Sequence, residues 1–294
     1  MKRFAMILLG CALVGTSAQA GEPGVKQTIA YVQKLQTASG GFRSHEPKPD
    51  AVKILPTLRA TSAAVRALKY LGGDVPNQAA CVKFVESCWN AEAGAFSDEP
   101  KGKPDVFATA VGLMAVTELN LPTEKYAKAA LKYLSDNAES FEDIRIAAAG
   151  LERLKAKSPQ NDRWQGEVKK LQSLDGIFGK ELGQARATGG GVVTMLRLGA
   201  KYDDSAPILK VLKAGQRQNG GWGKADSETA SDLDTTYRVM RCFMMLKARP
   251  DNVEGLRSFV AKCRNEDGGY GIAPGQLSSV GGTYFAAIIT HWLK

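Results

Sequence analysis

The chain has 294 residues, 44% of them hydrophobic and 23% charged, and a formal net charge of +9. No segment after the first twenty residues reads as membrane-spanning, and only two histidines and no CxxC pair are present, which leaves little from which to build a zinc site. A modest positive charge is met by an evenly charged soluble surface and does not by itself call for nucleic acid.

The chain opens MKRFAMILLGCALVGTSAQA. Lys2 and Arg3 precede an apolar run, and small residues close it at Ala18-Gln19-Ala20. That order predicts a secretory signal cleaved after Ala20, and a periplasmic or secreted protein. The run is too short for a spanning helix of about 20 residues. Leu8-Leu9-Gly10-Cys11 also resembles a bacterial lipobox, in which Cys11 would be lipidated and would supply the protein's membrane contact. Residues 21–294 form the predicted mature chain, read as a single domain.

Along that domain one short pattern recurs. Gln36, Gly40 and Phe42 stand in QTASGGF, and Asn90, Gly94 and Phe96 in NAEAGAF. A copy without its glycine, DNAESF, ends at Phe141. Gln172, Gly176 and Phe178 stand in QSLDGIF, Gln216, Gly220 and Trp222 in QRQNGGW, and Arg264, Gly268 and Tyr270 in RNEDGGY. A repeat at this period signals a modular fold. Segments before each pattern, such as PILKVLKAGQRQ, carry apolar residues at helical spacing and end near glycine. Segments after it open at Asp105, Asp232 or Ser279, good N-caps, with Thr109, Thr236 or Thr283 four residues on. The first copy offers Thr57 and Thr61.

The unit is therefore helix, Gly-aromatic turn, loop, helix. Six units make twelve helices. The first helix of a unit is charged, as in PTEKYAKAALKYLSDN. The second is apolar and small, as in TAVGLMAVTEL, and belongs inside. An inner ring within an outer ring meets both conditions. An open solenoid wants polar capping repeats, whereas here the last unit stays apolar to Leu293. Cys81, Cys88, Cys242 and Cys263 are read as buried residues or, for Cys242 and Cys263, as a bridge. His291 is expected in the core and His45 in solvent. Gly189-Gly190-Gly191 marks close helix packing.

The spacing Gln-x-x-x-Gly-x-aromatic resembles the repeat of squalene and oxidosqualene cyclases. GAFSDEPKGKPDVFATAVGL is similar to the β-subunit repeat of protein prenyltransferases. The resemblance covers nearly all of 25–294. It implies an all-α (α/α)6 toroid, with a structural role for Gln216, Gly220 and Trp222.

What it implies for chemistry is weaker. Prenyltransferases hold a catalytic zinc on an Asp, a Cys and a His. Asp232 matches the Asp, but Asp234 stands at the Cys position, and Gly282, or Ala108 in the second unit, at the His position. No cofactor is predicted and zinc is disfavoured. DLDTT also resembles the Asp-x-Asp-Asp motif of class II terpene cyclases. Asp234 matches the acid that protonates substrate there, while Thr235 replaces the next Asp. Asp232, Asp234 and Asp105 are the candidate catalytic residues, with helix capping as the competing role. Lys101, Lys103 and Arg186 are candidate anion ligands near helix N-termini. The loops at that mouth hold nine basic and ten acidic residues, so the excess positive charge is expected on the outer helices. Basic residues there are not interleaved with aromatics, which speaks against nucleic acid.

Two functions follow. One is an exported, non-catalytic toroid that binds an apolar or isoprenoid-like molecule, or a protein partner. The other is a diverged prenyltransferase- or cyclase-like enzyme with Asp234 as general acid.

Overall fold

A computed structural model of the chain describes residues 23–47, 54–179, 183–224 and 230–294. The predicted signal, with Cys11 and Ala20, lies outside them. Twelve α-helices run through the described residues. The odd-numbered ones are α1 (Pro23–Lys34), α3 (Gln78–Ser87), α5 (Glu124–Asn137), α7 (Asn161–Lys169), α9 (Ala206–Ala214) and α11 (Val253–Lys262). The even-numbered ones are α2 (Leu58–Leu71), α4 (Val106–Glu118), α6 (Phe141–Leu154), α8 (Gln184–Arg197), α10 (Leu233–Met245) and α12 (Val280–Trp292). Residues 89–90 and 95–96 add one short antiparallel pair, Trp89 opposite Phe96.

The even helices form a closed ring. Each packs on the next, and α12 packs on α2. The odd helices surround them, each seated against at least one inner helix, as α3 is against α2 and α4. Sequence dictates this sorting. In α4 all residues from Ala108 to Val116 are buried, so the helix has no polar face to offer water. In α5 only Tyr126, Ala130, Leu134 and Ser135 are buried, a single stripe. The ring is thus the expected closed (α/α)6 toroid rather than an open solenoid.

The recurring pattern builds the joints. Gln216 Nε2 donates to its own turn at the Gly220 carbonyl (2.8 Å) and to the Asn252 carbonyl (3.0 Å), and its Oε1 accepts from the Asn252 amide (2.9 Å). Asn252 is the N-cap of α11, the outer helix of the next unit. Gln36 makes the same three bonds to Gly40 and to Asn77, the N-cap of α3. The Gln amide therefore ties one unit to the next. At the final joint the next unit is the first. There Arg264 replaces Gln and reaches the Gly24 carbonyl at 3.2 Å and Gln27 Oε1 at 2.7 Å, on α1.

The aromatic and the threonine form a second joint, inside each unit. The amides of Phe42, Phe96, Phe178, Trp222 and Tyr270 donate to Thr61, Thr109, Thr188, Thr236 and Thr283 hydroxyls at 2.9 to 3.1 Å. Each threonine sits in the first turns of its inner helix, so the turn is pinned to the ring. A third bond links inner helix to neighbouring turn. Leu58 N donates to Asp98 O, Leu233 N to Ile272 O, and Val280 N to Ser44 O, at 2.7 to 2.8 Å. The last of these again crosses the closure.

The copy ending at Phe141 is different. Phe141 is the first residue of α6, not the tip of a turn, and Ser140 and Asp143 form a capping box that spans it. All four cysteines among the described residues are buried free thiols, so Cys242 and Cys263 are not bridged. Burial pushes each thiol up to about 12, which removes thiolate chemistry at neutral pH. Gly189 and Gly191 serve packing. A Cβ on Gly189 would stand 3.1 Å from the Val239 Cα, and one on Gly191 2.5 Å from the Phe178 ring. His291 departs from expectation. It is exposed in the last turn of α12 and lies against Tyr70 with centroids 5.1 Å apart.

Candidate functional site

The six inner helices enclose an axial cavity of about 690 Å³. It runs from Arg59, Phe107 and Asp234, near the helix N-termini, to Tyr70, Arg153 and Arg197 in the last turns. Ala63, Val111, Met114, Ile146, Ala149 and Phe285 supply apolar wall. Eight basic side chains and two acidic ones also line it. The excess positive charge is thus not confined to the outer helices. The mouth loops are balanced, but the inner helices themselves carry arginine into the lumen.

Most of these arginines have a carboxylate. Arg59 pairs with Asp105 (3.0 Å) and Asp98 (3.4 Å). Arg145 and Arg238 share Glu142, at 2.7 and 3.0 Å. Arg153 pairs with the buried Glu118 (2.7 Å), and Arg197 with Glu152 (3.0 Å). Arg66 and Arg241 differ. Among the described residues neither has an ion pair. Arg66 donates to the Tyr284 hydroxyl and approaches Met114 Sδ at 3.5 Å. Arg241 donates to the Tyr237 hydroxyl at 3.3 Å and lies over the Trp292 ring at 4.6 Å. Tyr237 feels opposing effects. Burial raises its pKa, but Arg241, Arg66 and Arg197 outweigh that and hold the phenol well below its ordinary range. Tyr284 moves the other way, raised by burial and by Tyr237.

The sequence-derived candidates fare unevenly. Asp232 is the N-cap of α10: Thr235 donates to it through its amide (2.8 Å) and its hydroxyl (2.9 Å). Asp105 caps α4 by accepting from the Ala108 amide at 2.6 Å, and also meets Arg59. Both have the capping role. Asp234 faces the lumen, yet Arg186 holds it at 2.7 Å and Arg238 at 3.5 Å. Burial alone would raise its pKa, but Arg238 and Arg186 prevail and keep the carboxyl below its ordinary range. A general acid needs the opposite shift, and here Asp234 is the partner of two arginines. Arg186 is engaged by that pair and by Thr235 Oγ1 at 2.6 Å. Lys101 and Lys103 are exposed on the loop before α4 and do not line the lumen. The three basic candidates are not gathered into one anion site.

The positions that resemble a zinc triad do not fit the metal. Asp232 is occupied by capping, Asp234 by arginine, and Gly282 has no donor. Among the described residues no group of three His, Cys, Asp or Glu side chains is placed to hold a metal ion.

Asp234→Asn is expected to destabilise the fold at neutral pH by about 1–2 kcal/mol, since Arg186 and Arg238 lose a charged acceptor. A depressed pKa adds stability above the unfolded carboxylate range and loses it as pH falls through the folded value. The variant should therefore lose less stability than the wild type on acidification. Urea denaturation across acidic pH checks both.

Arg66, Arg241, Arg197, Tyr70 and Trp292 were not among the residues singled out from the sequence. A signal existed. Arg59, Ala63, Arg66 and Tyr70 follow helical spacing along one face of α2, as do Asp234, Tyr237 or Arg238, and Arg241 along α10. Phe243, on the same helix α10, packs outward on Trp222, with centroids 5.9 Å apart.

Comparison with known proteins places this architecture. The profile of the prenyltransferase alpha-alpha toroid domain matches residues 4–143 and 123–293. No curated protein sequence matches the chain. Among solved structures, Candida albicans protein geranylgeranyltransferase-I complexed with GGPP is similar at 12% identity and a TM-score of 0.69, over 91% of each chain. The apo type II terpene cyclase MstE from Scytonema is similar at 11% identity and a TM-score of 0.63, over 92% of this chain and 96% of that one. A glycosidase is similar at 13% identity and a TM-score of 0.63, over the same shares. At these identities the likeness is one of fold.

Proposed function

Because the chain belongs to the prenyltransferase α/α-toroid family, we propose that it is an exported receptor that takes up an isoprenoid-like molecule in the central lumen, without zinc-dependent or acid-initiated chemistry. One observation carries the reading. The ring encloses a cavity of about 690 Å³ with apolar wall, and the only carboxylate that resembles a catalytic acid, Asp234, is held ionised. That volume lies within the roughly 300–1,000 Å³ typical of small-molecule sites. The similar fungal protein was solved with GGPP, and a variant of the Scytonema cyclase with geranylgeranyl dihydroxybenzoate, so this ring geometry accommodates such chains elsewhere. Export rests on the signal-like residues 1–20. The divergence of the zinc and acid positions supports binding over catalysis.

The test is a thermal shift of residues 21–294 with geranylgeraniol in detergent, on the wild type and on Ala149→Phe. Ala149 lines the cavity, so the added ring occupies ligand space. Ligand at a hundred times its Kd stabilises by about 2.7 kcal/mol, a shift of about 5 °C for a domain this large. The wild type should shift and Ala149→Phe should not. A flat wild-type response, or an equal response from both, rejects the lumen as the site. Product analysis after the same incubation should find geranylgeraniol unchanged.

A further inference from the structure

This inference rests on the lumen being the binding site, and concerns what the ligand carries. Arg66 is only 9% exposed, and its Nε has no hydrogen-bond partner. Arg241 Nε is likewise buried and unpartnered. A guanidinium has five N–H donors in a planar fork. Arg66 uses two of its groups, on a phenol and a thioether, both weak acceptors beside a carboxylate. Buried cations are normally paired, since desolvation without an opposite charge is costly. Every other arginine of the lumen follows that rule. The two that break it stand on α2 and α10 and each contacts one of two adjoining tyrosines.

We propose that Arg66 and Arg241 form an oxoanion subsite: the ligand of the lumen bears a carboxylate or phosphate group, which docks on these two guanidinium groups beside Tyr237 and Tyr284, with its hydrocarbon along Val111, Ile146 and Phe285. Arginine forks suit planar and tetrahedral oxoanions through paired N–H bonds.

A second consequence follows from what surrounds Tyr237. Arg66 and Tyr70 line the same lumen from α2, Arg145, Glu152 and Arg153 from α6, Arg197 from α8, Asp234, Arg238 and Arg241 from its own helix, and Tyr284 from α12, with His291 behind Tyr70. Arginine outnumbers carboxylate around it, which favours loss of the Tyr237 proton in the empty lumen. An incoming oxoanion offsets those guanidinium charges and raises the Tyr237 pKa. Anion binding is therefore coupled to proton uptake, and affinity falls as pH rises through the Tyr237 titration.

The experiment has two readouts. The first compares geranylgeraniol with geranylgeranyl monophosphate and geranylgeranoic acid by calorimetry on wild type, Arg66→Met and Arg241→Met, with circular dichroism to confirm folding. The acids should bind the wild type at least tenfold more tightly than the alcohol. Either substitution should remove that preference and leave alcohol binding intact. The better of the two acids identifies which oxoanion the site serves. Equal affinity for alcohol and acids in the wild type overturns the subsite while leaving the lumen reading standing. The second readout needs no lipid. Tyrosinate absorbance should show one phenol ionising early, absent in Tyr237→Phe, and inorganic phosphate should move that ionisation upward in the wild type but not in Arg66→Met. If phosphate leaves it unmoved, the subsite is rejected even if no lipid binds.

Discussion

Gly220→Ala is expected to destabilise the fold by about 4 kcal/mol or more, among the largest effects a single methyl can have. Two causes add. Gly220 has φ +88, in the left-handed region where any side chain is strained. In addition a Cβ there would stand 2.1 Å from the Gly255 carbonyl carbon and the Leu256 nitrogen, backbone atoms of α11 that cannot rotate aside. The next outer helix would have to move, and with it the Gln216 bonds to Asn252. Gly275→Ala separates the two causes. It has φ +78 but no atom within 4 Å of the added methyl, so only strain of about 1 kcal/mol should register. Urea midpoints of the two variants measure the difference. If they match, the close approach of turn and helix is not what makes Gly220 necessary.

Trp222→Ala should cost about 3–5 kcal/mol by leaving an aromatic-sized void. Trp222 is fully buried, packs on Phe243, and donates its indole N–H to the Leu212 carbonyl at 2.7 Å. That carbonyl lies in the last turn of α9, where helical partners run out. Trp222→Phe tests the parts. Phenylalanine fills the matching place in three other units, so most of the packing survives. The lost hydrogen bond should cost only about 1 kcal/mol. A Phe variant as unstable as the Ala variant would show that the indole bond, and not the volume, holds the turn. Neither substitution touches the lumen, so ligand affinity per folded molecule should stay unchanged.

The fold was legible because it is written six times. Any one Gln-x-x-x-Gly-x-aromatic stretch has several readings, but five in phase fix helix, turn and helix together, and the small apolar inner segments fix which ring is inside. Phe141 shows the limit. Its spacing kept the aromatic in phase, while Ser140 and Asp143 had already written a helix start at that point. The candidate site was less legible for a physical reason. Asp105, Asp232 and Asp234 drew notice through spacing, yet two of them are caps, and the third has its charge fixed by Arg186, 48 positions away in sequence. Arg66 and Arg241 drew none, because an arginine in a helix ordinarily reads as a solvated charge. Only ring closure shows that their helix faces look at each other.

The closure has a consequence for the order of events as the chain is made. Helix α1 is the first part of the ring to be synthesised, but its partners are among the last. Arg264 bonds Gln27 across 237 positions, and Val280 bonds the Ser44 carbonyl. An emerging chain can dock unit upon unit, but it keeps an unfinished seam at both ends until the final helix arrives. A ribosome-stalled chain halted before α12 should remain open to protease at α1 and the turn after it, and release of the last helix should protect both at once. The two helices that flank the seam thus mature as a single event.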